Sequence, residues 1–531
     1  MHKSEETKVM ELEASTAVLT AFNRIPYALI NQEVEGSAND TLAELTEICG
    51  FYKIYKNGAD FIAEGSNGDY TNADLKYKMA GSLVNKEARF LFGATPDIKF
   101  EPKGDTDKMT EESKKALTIM NDVLKTVLDE NKFQDSLVKA AKDCFIGKRV
   151  ACMVNFNEED GITVTFIPST QFLYNTRIGN TNIIEKFVCF LIVHDSITLS
   201  EKRIFKKKFV LENGKVYLEE MLYDGAGRLL EEITPYQETL LDRIPVCVII
   251  NDGLTGETDG ESEINRLKDY ESWYSKLSNA DIDAERKSMN PIRYTVDMDS
   301  ESTKGLSGSA GSKWDLGSDQ NLNNAHPMVG ILESSMNYSE SLKTLLERVK
   351  TTGYEEIDMP NITLESMQGA ITSGKALKAI YWPLIVRCQE KMKAWGPQLS
   401  QMADIIITGA MIYPKCAEKY TDVPVMPVAY EIKVEQNFPL LEDEIEEKAM
   451  DLSEVESQVM SRKTYMKKWY DMTDGEVEEE LAQIALERQI LEDSAIMPTQ
   501  KQTLTGDLNE DSDEEQNMNG EIENGSKSFN I

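Results

Sequence analysis

The stretch Gly369-Ala-Ile-Thr-Ser-Gly-Lys-Ala-Leu-Lys-Ala-Ile-Tyr-Trp-Pro383 is central to the interpretation of this chain, because two different structures fit parts of it. Gly369, Gly374 and Lys375 have the G-x-x-x-x-G-K spacing of a phosphate-binding loop. In such a loop, backbone N–H groups cradle the phosphates, the lysine contacts the terminal phosphate, and a Ser or Thr hydroxyl contacts Mg²⁺. A nucleotide-binding enzyme that uses Gly369–Ala376 is therefore one alternative.

Two departures from that pattern favour the other alternative, a flexible loop that leads into a helix. Ala376 stands where the hydroxyl residue is needed, and residues 361–368 are polar instead of forming a buried strand. Ser373 is a suitable N-cap for a helix that begins at about residue 374. We therefore expect no nucleotide site and no catalytic residue here.

One long helix is predicted after this loop, from residue 374 to about 410. Proline lacks a backbone N–H, and its ring clashes with the preceding helical turn. Pro383 is therefore expected to bend this helix, and Gly396-Pro397 is expected to break it a second time. Because a bend lets the residues before it swing, we expect Pro383 to act as a hinge.

Two amphipathic helices are predicted before the loop, at residues 262–288 and 338–352. The first has an apolar stripe that includes Ile264, Leu267 and Leu277, with charged residues on its other face. A strand at 291–296 and a segment rich in Gly and Ser lie between the two helices. This order predicts two long helices joined through a small insert.

The rest of the chain mixes helical and strand patterns, which predicts an α+β fold. Helices are expected at residues 41–56, 70–93, 110–129, 132–146, 441–460 and 475–490. Strands are expected at residues 150–156, 162–167, 185–194, 203–211, 216–223, 244–250 and 428–434. The strand at 203–211 contains a basic run, which fits either a solvated strand face or an electrostatic contact with a partner.

The chain is strongly acidic, with a formal net charge of −35 over 531 residues. Residues 498–531 hold eight acidic and two basic residues, so most of the negative charge lies outside this low-complexity tail. A basic groove that wraps nucleic acid is therefore not expected. Such a protein can still surround DNA without gripping it, since like charges weaken adhesion.

Cysteines and histidines offer little material for metal or redox chemistry. The seven cysteines form no C-x-x-C pair and most lie in apolar patterns, so buried, reduced thiols are expected. The three histidines, at positions 2, 194 and 326, are too few and too scattered for a metal site or a catalytic triad. No apolar stretch of 18 residues occurs, so we expect no membrane span, no metal and no cofactor.

Four passages, with their linear order, resemble the portal proteins of long-tailed double-stranded DNA phages, the SPP1-type family. The resemblance covers roughly residues 25–490 and rests on accumulation rather than on one short signature. The four passages are Asn251–Pro291, Ser373–Tyr381, Gly147–Pro168 and Ser461–Leu481.

The resemblance implies a portal-type fold made of a mixed α/β wing, a two-helix stem, a small α/β clip and an α-helical crown. The implied boundaries are 1–250 for the wing, 251–288 for the linker and first stem helix, 289–337 for the clip, 338–352 for the second stem helix, 353–373 for the tunnel loop, 374–440 for the kinked helix and the strand that returns to the wing, 441–490 for the crown, and 491–531 for an acidic, disordered tail.

The resemblance also implies a structural role rather than an enzymatic one. Portal proteins of this family form a ring, of twelve subunits in the virion, at one capsid vertex. A terminase motor packages double-stranded DNA through the central channel without regard to sequence, and the DNA leaves by the same route. The implied partners are further copies of the chain, the terminase large subunit, the major capsid and scaffolding proteins, and a head-completion or adaptor protein. Assembly would take place in the host cytoplasm.

Site residues follow from the resemblance and from charge. The tunnel-loop residues expected at the DNA channel are Glu355, Glu356, Asp358, Glu365, Gly369, Ser373 and Gly374. The acids among them suit a sliding collar better than a phosphate clamp. Lys343, Arg348 and Lys350 are candidates for sparse cations that face the DNA from the second stem helix. Candidates for bridging neighbouring subunits are the first-stem residues Arg266, Lys268, Asp269 and Glu271.

Overall fold

The computed structural model of this chain is a mixed α+β protein, as the sequence predicts. It describes residues 25–34, 38–62, 72–103, 110–194, 202–254, 259–289, 292–299, 328–332, 337–362, 374–438, 444–470 and 474–495, with the isolated residues 301, 304, 314, 317, 326 and 472. The chain divides into two compact units, residues 1–441 and 442–531.

The helices of the first unit surround and extend from its sheets. They are α1 (Tyr27–Glu33), α2 (Ala38–Asn57), α3 (Met79–Phe92), α4 (Glu111–Glu130), α5 (Phe133–Gly147), α6 (Glu263–Met289), α7 (Ser339–Glu355), α8 (Gly374–Ile412) and α9 (Pro414–Ala417).

The strands are β1 (Asp97–Pro102), β2 (Arg149–Asn157), β3 (Gly161–Pro168), β4 (Phe172–Arg177), β5 (Asn180–His194), β6 (Lys202–Glu212), β7 (Lys215–Asp224), β8 (Leu229–Glu238), β9 (Val246–Ile250), β10 (Ile292–Val296), β11 (Met328–Leu332) and β12 (Tyr430–Glu435). They form a five-stranded sheet in the order β4-β5-β6-β7-β8, a three-stranded sheet in the order β3-β2-β9, and the pairs β1-β12 and β10-β11. Every pairing is antiparallel.

The three-stranded sheet lies between two cores, because side chains alternate between the faces of a strand. Val150 and Cys152 of β2 pack into a core with helices α3, α4, α5 and α8. Ala151 and Met153 pack in the opposite direction, against the five-stranded sheet. The other face of that five-stranded sheet is covered by α1 and α2. The result is a layered order of helices, two sheets and helices.

Helix α8 runs without interruption from Gly374 to Ile412, with Pro383 and Pro397 inside it. The predicted break at Gly396-Pro397 is therefore wrong. Each proline removes one backbone hydrogen bond, but the residues around it are fixed by burial. Leu384 and Trp395 are each only 1 % exposed, and this packing holds the helix together where the local sequence would end it.

The helix predicted at 70–93 begins only at Met79. Residues 72–78 have no regular secondary structure, because their N–H groups bond to side chains of α6 instead of to a helical turn. Strands β1, β4, β8 and β11 were not predicted. β1 pairs with β12, more than 300 residues further along the chain, so nothing in its local pattern marks it as a strand.

The basic run in β6 fits neither interpretation offered by the sequence at Lys206, Lys207 and Lys208. Lys206 is buried and forms an ion pair with Glu33 at the end of α1. Lys208 lies 3.2 Å from the same carboxylate, and Lys207 lies 2.9 Å from Glu220 of β7. Burial would raise the pKa of Glu33, but Lys206 and Lys208 outweigh it and lower that pKa. These lysines are neutralised within the chain.

The second unit contains α10 (Glu444–Glu456), α11 (Arg462–Tyr470) and α12 (Asp474–Ala495). Helix α11 was not predicted. Ser461 caps it, because the Thr464 N–H donates to the Ser461 hydroxyl at 3.1 Å. Trp469 donates its indole N–H to Asp451 of α10 at 2.7 Å, and Lys468 lies 2.8 Å from the same carboxylate. These contacts join α10 to α11.

All seven cysteines are buried and none forms a disulfide, which agrees with the predicted thiols. Among the described residues, no group of three or more His, Cys, Asp and Glu side chains is placed to hold a metal ion. No helix in the described part of the chain is long and apolar enough to cross a membrane.

Candidate functional site

Helices α6 and α7 pack against each other and form a hairpin whose two open ends meet the core of the first unit. At the start of α6, Ile264 and Leu267 are fully buried. After the end of α7, Ile357 and Met359 enter the same core. Both helices predicted to form a stem are therefore present, and the start of α6 and the residues just after α7 enter the same core.

A row of polar side chains on α6 binds the backbone of residues 73–80, which comprise the irregular segment before α3 and the first residues of that helix. Asp283 accepts from the Ala73 N–H at 3.0 Å, and the Ser275 hydroxyl accepts from the Tyr77 N–H at 3.2 Å. Between them, Asn279 accepts from the Leu75 N–H at 2.8 Å and donates to the Leu75 carbonyl at 2.7 Å. The row continues at Glu271, so its members recur every four residues along one helix face.

Glu271 is fully buried inside the subunit, and its carboxylate accepts the N–H groups of Ala59 and Ala80, both at 2.6 Å. Its side chain is therefore occupied within the chain, so we withdraw it as a candidate for a subunit contact. Burying the carboxylate without those two donors would leave an uncompensated charge.

The other first-stem candidates differ in how accessible they are. Arg266 donates to Glu261 at 2.6 Å, and Lys268 donates to Asn265 at 2.7 Å. Asp269 is exposed and makes no ion pair with a described residue. The role of these residues at a contact between subunits stays a prediction.

A buried cluster of charges holds the start of α6. Arg387 of α8 donates to Glu263, the first residue of α6, at 2.6 Å and to Glu87 of α3 at 2.8 Å. One turn later on α8, Lys391 donates to Glu263 at 2.6 Å and to Asn251 at 2.8 Å. All five residues are buried, so these bonds lie in a medium where ionic hydrogen bonds are strong.

The two carboxylates of this cluster differ in how completely they are paired. Glu263 has a cation on each oxygen. Burial would raise its pKa, but Lys391 and Arg387 outweigh burial and lower the pKa to about 2. Glu87 uses only its Oε1 atom, and its Oε2 atom has no partner. Burial therefore raises the pKa of Glu87, and the attraction of Lys391 and Arg387 does not reverse this.

The end of α7 reaches the same arginine. Helix α7 stops at Glu355, and Asp358 takes a left-handed backbone conformation with φ of 52°. This turn brings the Asp358 carboxylate to 3.7 Å from Arg387. Arg387 thus faces three carboxylates, from α3, from the start of α6 and from the turn after α7.

The predicted channel residues are only partly described. Glu355, Glu356 and Asp358 are exposed, whereas Glu365, Gly369 and Ser373 lie outside the described residues. Gly374 is the first residue of α8. The element before the loop is helix α7, which differs from the buried strand that precedes a phosphate-binding loop.

On α7, Lys343 and Arg348 are exposed and make no ion pair with the described residues. Lys350 is half-buried, with its Nζ atom 5.9 Å from the centre of the Tyr354 ring. Pro383 lies on the exposed side of α8, four residues before Arg387.

Sequence reasoning missed the charge cluster and the polar row. The row could have been found, since Glu271, Ser275, Asn279 and Asp283 recur with helical spacing. The cluster could not, because its members are separated by up to 304 positions along the chain. Only Arg387 and Lys391, four residues apart on an otherwise apolar helix face, gave a weak signal.

A family model described as "Phage portal protein, SPP1 Gp6-like" matches residues 37–491. The chain belongs to this portal family. The match spans α2 to α12 and includes all four passages on which the resemblance rested. A comparison with curated proteins finds no match to this chain.

Portal proteins are structural virion proteins of the capsid that take part in DNA packaging and head–tail connection, and they are not an enzyme family. In this portal protein, the hairpin α6–α7 and the junction at Arg387 lie within the matched residues. They support the proposals that follow.

Proposed function

We propose that this portal protein forms a ring at one capsid vertex and that DNA passes through the centre of that ring. The terminase motor would drive DNA inward during packaging, and the DNA would leave by the same channel at ejection. The family match over residues 37–491 carries this proposal. The ring would also be the docking platform for head-completion and tail proteins.

The described elements support the proposed division into parts. Helices α6 and α7 would form the stem, and the strand pair β10–β11 between them would belong to the clip. The sheets and α3, α4, α5 and α8 would form the wing. The separate compact unit that begins at Glu442 supports a crown at 441–490.

Charge on α7 supports a channel wall that does not hold DNA tightly. Lys343 and Arg348 are exposed cations without an ion-pair partner among the described residues, and Glu355, Glu356 and Asp358 follow them at the end of the helix. Isolated cations among acids attract phosphates weakly, and salt screens that attraction. DNA would be steadied without being trapped.

The ring is tested by negative-stain imaging and native mass measurement of the purified full-length chain. We expect rings with a central hole and a mass that is a whole multiple of one chain. Shells, filaments or monomers at all concentrations would contradict the portal ring.

The channel wall is tested by the double variant Lys343→Glu, Arg348→Glu. Rings should still form, because both side chains are exposed, and DNA packaging in vitro should fall because acids now repel the phosphates. Lys125→Glu, an exposed reversal on α4, is the control and should package normally. If the double variant loses its rings, these residues lie in a subunit interface; if it packages normally, they do not face DNA.

A further inference from the structure

The two stem helices differ in the contacts that hold them to the rest of the first unit. Helix α6 is attached over more than three turns by hydrogen bonds of the buried side chains Glu271, Ser275 and Asn279, with Asp283 at the end of the row. Its first turn is fixed in addition by Ser262, whose hydroxyl donates to the Ile146 carbonyl at 2.6 Å. Buried bonds of this kind are costly to break, because each partner would be left unsatisfied.

Among the described residues, helix α7 has fewer polar anchors than α6, and they are exposed. The Tyr354 hydroxyl accepts from Lys86 of α3 at 3.3 Å, and Asp358 lies 3.7 Å from Arg387. Ile357 and Met359 add apolar contacts just beyond the helix. The Asp358 side chain is 49 % exposed, whereas that of Glu263 on the same arginine is 1 % exposed.

Arg387 therefore makes two contacts of unequal strength with the stem. Its bond to Glu263 is short, buried and shared with Lys391, so water cannot replace it. Its contact with Asp358 is longer and open to solvent, so water and salt compete with it. Breaking the Asp358 contact leaves Arg387 still paired with Glu263 and Glu87, with no buried charge uncompensated.

We propose that the two stem helices are unequally anchored: α6 is fixed to the first unit, while the C-terminal end of α7 is held by a releasable contact between Asp358 and Arg387. Arg387 is a positioning residue in this arrangement. It keeps the start of α6 in place whether or not the end of α7 is attached.

One consequence of this unequal anchoring rests on the proposed role of α7 in the DNA channel. Lys343 and Arg348 lie on α7, so the helix with the freer end would be the one that carries the cations proposed to face DNA. The anchoring itself does not depend on that role. It concerns contacts within one chain, and it can be measured in monomers or in rings, so its failure would be distinguishable from failure of the channel.

The test is amide hydrogen exchange, followed by mass spectrometry, on the full-length protein and on Asp358→Asn. The substitution removes the charge and keeps the shape of the side chain. We expect exchange of amides at 356–359 to rise by about threefold, the size expected for losing an exposed ion pair, with exchange along 264–283 unchanged. Asp404→Asn is the control, since Asp404 lies elsewhere on α8, where it pairs with Arg243 and accepts from Tyr430. It should leave both regions as they are.

The salt dependence of amide exchange distinguishes an ion pair of Asp358 from a purely structural role, because salt screens only the ion pair. Raising NaCl from about 0.05 M to about 1 M should speed exchange at 356–359 in the native protein, because salt screens the Asp358 contact. In Asp358→Asn this salt effect should be absent. Glu263→Gln should speed exchange at both 356–359 and the start of α6.

The proposal would be overturned by any of three results. Asp358→Asn could leave exchange at 356–359 at the native rate, or could speed exchange in α6 as much as at 356–359. The native protein could also show the same salt response as Asp358→Asn.

Discussion

Glu87 and Glu263 bind the same two cations, yet their pKa values move in opposite directions. Glu263 has Arg387 on one oxygen and Lys391 on the other, and the two cations outweigh the cost of burial. Glu87 shares its single bonded oxygen between them and keeps the other oxygen without a partner. The number of neighbouring charges alone would predict the same direction of pKa shift for both acids. The directions differ because both oxygens of Glu263 are bonded, whereas only one oxygen of Glu87 is.

Glu263→Gln is expected to lower the free energy of unfolding by about 3–5 kcal/mol at neutral pH, because it leaves two buried cations short of a partner. Since the pKa of Glu263 is lowered from 4.5 to about 2 in the folded protein, its stabilisation is present above 4.5 and is lost as pH falls towards 2. The cost of this substitution should therefore shrink below pH 4.5. Urea unfolding between pH about 2.5 and about 7 measures it.

Glu87→Gln is the matched comparison and should show the opposite trend. The raised pKa of Glu87 means that its contribution is complete below 4.5 and is lost as pH rises through the folded value. The native protein should thus lose stability relative to Glu87→Gln as pH rises. If both variants follow the same trend with pH, our assignment of the two carboxylates is wrong.

At the scale of elements, α6 shows how a polar helix face can be used inside a subunit. The sequence analysis assigned one residue of this face, Glu271, to a contact with a neighbouring subunit. In the structure, four side chains of this face bind N–H groups of residues 73–80 of the same chain, before and at the start of α3. Regularly spaced polar residues on a helix indicate a surface that can bind another segment. Only the tertiary structure shows whether that segment belongs to the same chain.

Asn279→Ala should weaken the attachment of this segment. Asn279 is buried and exchanges two hydrogen bonds with Leu75, so we expect the free energy of unfolding to fall by about 1–3 kcal/mol. Proteolysis at residues 72–78 should also become faster. Glu285→Ala, at an exposed position of the same helix, is the control and should change stability by less than about 0.5 kcal/mol. Equal effects of the two substitutions would argue against a special role for the row.

The two prolines of α8 allow a direct test of the hinge proposal. Pro383→Ala restores a backbone N–H within a continuous helix, so stability should rise or stay the same. If Pro383 acts as a hinge, DNA packaging by rings of this variant should nevertheless fall. Pro397→Ala makes the same chemical change further along the helix and should package normally. Normal packaging by Pro383→Ala would show that the hinge is not needed.

For the molecule as a whole, the acidic tail is the simplest part to test. Deleting residues 498–531 should leave ring formation intact, because the match to the portal family ends at residue 491. The deletion also removes eight acids and two bases from each chain, which reduces repulsion between subunits. Imaging and native mass of the truncated chain check this. Loss of rings would mean that the tail takes part in assembly.

The local sequence pattern was enough to predict the long helices of this portal protein. The helices expected at 262–288, 338–352 and 374–410 match the bounds of α6, α7 and α8 to within a few residues, and the strands expected at 150–156 and 162–167 are β2 and β3. Apolar periodicity reports burial of one face, which depends mainly on neighbouring residues in sequence. The order of these elements was also enough to suggest the family that the comparison then showed.

Other features depend on residues that are distant in sequence. Strand β1 exists because β12 pairs with it, and α8 continues through Pro383 and Pro397 because burial on its inner face compensates for the missing hydrogen bonds. Arg387 acquires its three carboxylates only when α3, α6 and the turn after α7 come together. The stability of these features comes from desolvation and from pairing between residues distant in the chain, which no local sequence pattern can predict.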